Sequence, residues 1–563
     1  MSDYEVDHTG IFKISMKAAG LWFATWSILF LMVPLPFASR FGSVLIAGIS
    51  TLFFLIGIAF VTLGIYFLLR GGAAKKYAER QQQWAQEKIK QRRQELLNCP
   101  AGQFSGLSLG YSAGLLESRG CPVGISRNEK IHLPPANCCQ NVFIMGGIGS
   151  GKTTSIINPI LLQILKTDAS AVIFDIKGDF VREVGAITGY VKRKVQIVGL
   201  AENALTVNLF RGCSPEQAAG YLRSCFVAKG AASGDSSFWV DSACSYCQNL
   251  LYLIKLAGGD YSIGGLASVA FSERKRNELI EACVTSAERG EMGLNENDEQ
   301  IWDIVFDYLT ETVEKWDDKL RSNILATLQT VLNPFIMPDF VQAFSSGTER
   351  EVNFDDLLNH PTVFLVQLPQ SMGDGARWAY LLIKLRFFDL MRARRSRPDV
   401  NQDRYVSYFC DEYQRIVDSV SDVDFWDKSR SSRCFGVVSM QGYSSLIQAV
   451  GGKQAADAIS QNWRQKIMLL GEDQQSIEAM QRLIGKGDAQ VHSRSESESV
   501  GARGQDGRTQ KTSSSSHSVS IQRREFFDYA DLRSLSRGQA LFVGTVGHEA
   551  RADVIDVVPL PVD

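Results

Sequence analysis

The stretch from Val142 to Thr154, VFIMGGIGSGKTT, leaves few folds open to this chain. Val142 to Met145 is an apolar run of the length expected of a buried parallel strand. A glycine-rich turn follows, then a segment that can be helical. Within it, Gly146, four intervening residues and Gly151-Lys152-Thr153 have the spacing of a P-loop. The chemistry needs these residue types. Glycines let backbone N–H groups converge on phosphate oxygens without a side-chain clash. The amino end of the following helix adds partial positive charge. Gly146, Gly147, Ile148, Gly149, Ser150, Gly151, Lys152, Thr153 and Thr154 are therefore the candidate nucleotide-binding residues. Lys152 is expected to reach the β- and γ-phosphates, and the Thr153 hydroxyl to hold Mg2+. Pro159 falls inside the helix expected to run on to Lys166, where a proline should kink or crowd it.

The 563 residues allow two or three domains. Two apolar runs open the chain, at about 18–38 and 42–69, each long enough to cross a bilayer. The second follows at once, and the first ends without a clear small-residue cleavage site, so a transmembrane hairpin is expected rather than a signal peptide. Only Arg40 lies between the runs. Arg70, Lys75, Lys76, Arg80, Lys88, Lys90, Arg92 and Arg93 lie beyond them. The positive-inside rule then puts both termini and everything after the hairpin in the cytoplasm. Residues 71–99 read as a basic helical stalk near anionic headgroups.

Residues 100–213 read as the first part of a nucleotide-binding domain. Beyond the P-loop strand, strands are expected at 171–175, 195–198 and 206–210. Residues 214–335 carry helical periodicity with little strand signal and read as an all-helical insertion. Residues 336–563 return to the nucleotide-binding domain, with strands near 362–368, 405–410, 435–440, 465–470 and 540–543 and a strong helix from Arg377 to Arg395. Strands and helices alternating around a P-loop predict an α/β fold with a mainly parallel sheet covered on both faces. Within the second part, 488–522 is rich in Ser, Gly and Arg and alternates like two hairpin arms around a glycine-rich tip. It reads as a surface hairpin. A sharper alternative is a pore-lining loop that turns Arg494, Arg503, Arg508 and Lys511 towards a phosphate backbone.

A net charge of −2 excludes a protein that grips nucleic acid over its whole surface, so any such contact must be local. The 11 cysteines form no regular framework. Cys244 and Cys247 make a lone C-x-x-C in a helix-like apolar run, and buried reduced thiols are expected.

Hydrolysis needs a carboxylate at the end of a strand near the P-loop and a group that directs water. Phe174-Asp175 ends one apolar strand, with Lys177 close by. Phe409-Cys410-Asp411-Glu412 ends another and supplies adjacent carboxylates. The second is preferred, with Asp411 on the metal side and Glu412 towards water. Asp175 reads as a strand-end residue with Lys177 as its partner. Gln441 ends the next apolar strand, where an amide can report loss of the γ-phosphate. Lys428 to Arg433 offers Arg430 or Arg433 as an arginine finger for a neighbouring subunit.

The order of GGIGSGKT (146–153), FDIKGD (174–179), a helical insertion opening near Phe238-Trp239, FCDEYQ (409–414), SMQGYSSL (439–446) and FFDYADLRSLSRGQALFVG (526–544) resembles the type IV coupling proteins, the TraG/TraD-like ATPases of conjugation and type IV secretion. The two N-terminal apolar runs and Pro159 match as well. The resemblance implies a RecA-like motor with an all-helical domain, assembled as a homo-hexamer at the bacterial inner membrane. It implies ATP and Mg2+ as ligands, with DNA, a relaxase, the type IV secretion channel and protein effectors as partners. By position, Lys152 and Thr153 bind ATP and magnesium, Asp411 and Glu412 form the acidic pair, Gln441 is the sensor and Arg430 the finger. Asp179 departs from the family's usual Glu. The sequence closes without the long acidic tail some members use to dock partners, so the resemblance sets no expectation for substrate recruitment. An ATP-dependent receptor for protein effectors and an FtsK/HerA-like DNA translocase are the alternative readings.

Overall fold

A computed structural model describes residue 83 and residues 86–562, apart from 202, 229–235, 289–295, 345–346, 348–349 and 501–510. The expected membrane hairpin at 18–38 and 42–69 lies outside these residues. Among the described residues no helix is long and apolar enough to cross a membrane. The chain divides into two compact units, Met1–Glu95 and Leu96–Asp563. In the first, residues 86–95 are helical.

The second unit is built on one sheet of eleven strands: β1 (Leu107–Ser112), β2 (Lys130–Leu133), β3 (Val142–Met145), β4 (Ser170–Asp175), β5 (Val195–Gly199), β6 (Val363–Gln367), β7 (Val406–Cys410), β8 (Cys434–Met440), β9 (Gln465–Met468), β12 (Gln539–Val546) and β13 (Glu549–Asp556). Their order is β2-β1-β13-β12-β9-β3-β8-β7-β4-β6-β5. From β9 to β5 every pairing is parallel. From β9 to β2 every pairing is antiparallel. The fold is thus α/β on a mixed sheet, with its parallel part around the P-loop strand.

The parallel strands are apolar on both faces because both are covered. Successive side chains alternate, so each strand feeds two cores. Phe143, Met145, Val172 and Phe174 join the core under helices Pro215–Ala228, Ser236–Leu256 and Asp374–Ala393. Val142, Ile144, Ala171 and Ile173 join the core under the P-loop helix and the Phe180–Val191 helix. Between β5 and β6 the described residues contain helices and no strand, Pro215–Ala228, Ser236–Leu256, Ile263–Ala270, Glu273–Glu288, Glu296–Asp307 and Asp318–Leu332 being the longer ones. Their buried residues, Cys247, Leu250, Ile324 and Leu328 among them, belong to the same core as Phe143. Cys244 and Cys247 are free thiols on the Ser236–Leu256 helix, and burial pushes the Cys244 thiol up to about 12.

Two strand expectations are corrected. Residues 206–210 form no strand: Leu205 and Thr206 make single bridges to Val198 and Glu351, and the Asn208 side chain turns the chain by accepting from the Phe210 N–H. After residue 526 there are two strands, β12 and β13, where one was expected. The Ser-rich segment forms a separate antiparallel ribbon of two fifteen-residue strands, β10 (Lys486–Val500) and β11 (Lys511–Glu525). Arg494 and Lys511 lie on its strands. Arg503 and Arg508 lie outside the described residues.

Candidate nucleotide site

The carboxyl ends of β3, β4, β7 and β8 share one edge of the sheet, the edge at which open α/β sheets take their ligands. At β3 the chain turns through Gly149 and Gly151, with φ of +73° and +86°, a conformation glycine adopts without strain. A Cβ on Gly146 would sit 2.7 Å from Ser150 Oγ and 3.1 Å from Leu469 Cβ, so any side chain there would have to displace the Ser150 hydroxyl. Lys152 Nζ donates to Gly146 O at 2.7 Å and to Gly147 O at 3.2 Å. Burial lowers its pKa, opposed by the charges of Asp411 and Glu412. Thr153 and Thr154 open the helix, with Thr154 Oγ1 donating to Gly151 O at 3.4 Å. Ile148, at the crest, is 90% exposed. The buried Ser150 hydroxyl has no partner among the described residues. With the glycine cradle and the lysine, it makes the loop a fit for a phosphate chain.

Pro159 proves compatible with the helix. The first turn, Thr153–Ile157, is π-helical and runs directly into the α-helix that starts at Asn158, so the ring is accommodated at the junction where the hydrogen-bond pattern changes.

β8 lies between β3 and β7, so Gln441 stands beside the loop and Asp411-Glu412 one strand further on. Asp411 Oδ1 accepts from the Ser439 hydroxyl on β8 and from the Glu412 N–H at 3.1 Å. Glu412 has φ +61°, a left-handed conformation that is costly for a residue with a Cβ. Its Oε1 pairs with Lys177 Nζ at 2.6 Å, and its Oε2 accepts from the Gln414 amide. Lys177 also lies 3.6 Å from Asp411 Oδ2. Burial pushes the Glu412 carboxyl up, but Lys177, Gln414 and Lys152 outweigh it and hold it below the usual glutamate range.

Lys177 therefore serves the acidic pair, where the sequence suggested Asp175. Asp175 accepts from the Gly178 N–H at 2.7 Å and the Val181 N–H at 3.0 Å, fixing the turn that presents Lys177. Gln441 is exposed and lines a cleft of about 850 Å³ with Lys177, Glu412, Gln414, Arg377 and Arg415. The turn after it is tied down by Asp473, which accepts from the Ser444 and Ser476 N–H groups.

Arg430 is not brought to this site. It is exposed on the turn Ser429–Ser432, at the amino end of β8, the opposite edge of the sheet. Arg433 is bound to Asp403 at 2.8 Å and lies over the Tyr405 ring. Of the two arginines, Arg430 has the freer head. Ser439 and Gln414 were missed by the sequence reading. Ser439 sits two residues before Gln441 on a strand already recognised, a signal that could have been used.

The family described as Type IV secretory system Conjugative DNA transfer matches residues 110–545. No curated protein matches the sequence. Among solved structures, the bacterial conjugative coupling protein TrwB, in an unbound form lacking its first seventy residues, matches with 16% identity and a TM-score of 0.52 over 77% of this chain and 87% of that one. TrwB with ADP and Mg2+ matches with the same identity, score and coverage. TrwB with a non-hydrolysable ATP analogue matches at 15% identity and a TM-score of 0.52, over 82% of this chain and 96% of that one. At such identity these structures speak for the fold.

Proposed function

Because the chain belongs to the conjugative DNA-transfer family of type IV secretory systems, we propose that it is an ATP-hydrolysing coupling protein that drives relaxase-bound single-stranded DNA into a secretion channel. The observation that carries the proposal is the convergence of Lys152, Asp411, Glu412 and Gln441 on one sheet edge, with Ser439 tying the acidic strand to the sensor strand. In this reading the loop amides and Lys152 hold the phosphates of ATP. The Thr153 hydroxyl and Asp411 would hold Mg2+, which would supply charge neutralisation at the phosphates. Glu412 takes the proton of the attacking water, and Gln441 senses the γ-phosphate. That the sensor strand lies between the P-loop strand and the acidic strand supports a RecA-like motor. We further assign the hairpin at 18–38 and 42–69 to the inner membrane, the motor to the cytoplasm, and Arg430 to the nucleotide of a neighbour in a homo-hexamer.

The test is ATP turnover by the full chain in detergent, with and without single-stranded DNA, beside Lys152→Ala and Glu412→Gln. We expect DNA to stimulate turnover and each variant to lower it by about 100-fold. Robust turnover indifferent to DNA would replace this reading with a receptor for protein effectors. A wild-type chain that does not hydrolyse ATP overturns the motor.

A further inference from the structure

We propose that the segment Val557–Val562 is a strap on the P-loop helix, and that the Leu560 N–H is a positioning group for nucleotide binding. The inference rests on the reading of residues 146–154 as the nucleotide loop. In the π-turn Thr153–Ile157, the Asn158 N–H donates to Thr153 O, five residues back. One residue further, the same pattern would have residue 159 donate to Thr154 O. Residue 159 is proline and has no N–H. The α-type donor to Thr154 O is the Asn158 N–H, which is already used. Thr154 is half-buried, so its carbonyl needs a donor from elsewhere.

Leu560 provides it. Its N–H donates to Thr154 O at 2.8 Å. The fully buried Asn158 side chain returns a bond, its Nδ2 donating to Leu560 O at 3.3 Å. Both backbone groups of one residue are thus committed to the start of the P-loop helix. Leu560 stands between Pro559 and Pro561, so it carries the only backbone N–H of that tripeptide. The prolines hold it extended, at little further entropic cost on docking. Val558, Leu560 and Val562 pack on the core that underlies the helix. The strap leaves β13, in the antiparallel part of the sheet, and reaches the residue next to Thr153. Without it, Thr154 O is left unpaired or the π-turn must rearrange, and the rearrangement moves Thr153 and the loop amides.

The test is Mg-ADP affinity of the full chain in detergent. Absence of binding by the wild-type chain would refute the nucleotide reading itself, before any strap variant is made. Given binding, Leu560→Pro removes the N–H from a position already restricted to extended conformations, and should weaken affinity about tenfold. Leu560→Ala keeps the N–H and should stay within about twofold. Pro159→Ala supplies a donor to Thr154 O inside the helix, so adding Leu560→Pro to Pro159→Ala should cost less than about twofold. Unchanged affinity in Leu560→Pro overturns the proposal, as does a full loss that persists in the Pro159→Ala background. If Leu560→Pro does not fold, amide exchange on the wild-type chain decides. Coupling is reciprocal, so Mg-ADP must slow exchange at Leu560, and unchanged exchange overturns the strap.

Discussion

At the scale of single residues, opposing forces set the charge of Glu412. Burial favours the neutral acid, while the Lys177 ammonium at 2.6 Å favours the carboxylate and wins. Lys177→Met removes the winning influence and leaves the Gln414 hydrogen bond and the Lys152 charge to oppose burial, with Arg377 and Arg415 in the same cleft. The Glu412 pKa must then rise. A general base works only when ionised, so the acid limb of the kcat/KM profile should move to higher pH, by about one unit, with kcat falling and KM for ATP little changed. Lys177→Arg keeps the charge and should restore most of the limb. An acid limb that stays put in Lys177→Met removes Glu412 from the role of base. The partnership was illegible in the sequence, because 235 positions separate the two residues. It follows from the parallel register of β4 on β7, in which Phe174 faces Cys410, so that the chains beyond both strands meet.

At the scale of elements, the turn after Glu412 is held from below. Lys384, on the Asp374–Ala393 helix, donates to Ile416 O and pairs with Asp422, both side chains being wholly buried. Asp422 also accepts from the Tyr413 hydroxyl, the Trp426 indole at 3.2 Å and the Asp418 N–H at 2.7 Å. Every member is satisfied, so the network fixes the Tyr413–Val417 backbone and with it the left-handed Glu412. Lys384→Met leaves Asp422 buried without its counter-charge and should cost about 3–5 kcal/mol. A thermal or denaturant melt of the full chain checks this. A melt unchanged from wild type would show that the pair is not what stabilises the turn. The helix was legible from its apolar repeat, but a lysine on its buried face reads as a surface residue. β13 was missed for a related reason. Asp553 stands buried in mid-strand, accepting from the Leu115, Leu116 and Ile125 N–H groups, and so breaks the apolar alternation by which a strand is recognised.

At the scale of the whole molecule, the parallel sheet was legible because each of its strands is a short apolar run ending in the residue type its chemistry needs: glycine after β3, Asp-Glu after β7, glutamine after β8. Those runs carry no record of strand order, and none of the surface that meets another copy. Arg430 shows the difference. β8 has seven residues, so Arg430 lies about 20 Å from the nucleotide edge of its own chain. It can reach a γ-phosphate only across an interface. If it does, Arg430→Ala should bind nucleotide normally and turn over at least about 100-fold more slowly. Lys152→Ala fails for the opposite reason, having a sound arginine and a broken loop. Mixed before assembly, the two dead variants create interfaces in which a sound loop faces a sound Arg430. Random mixing in equal amounts makes about a quarter of the interfaces of this kind, so activity should return to roughly that fraction. A finger acting within its own chain restores nothing on mixing, because each variant keeps its own defect.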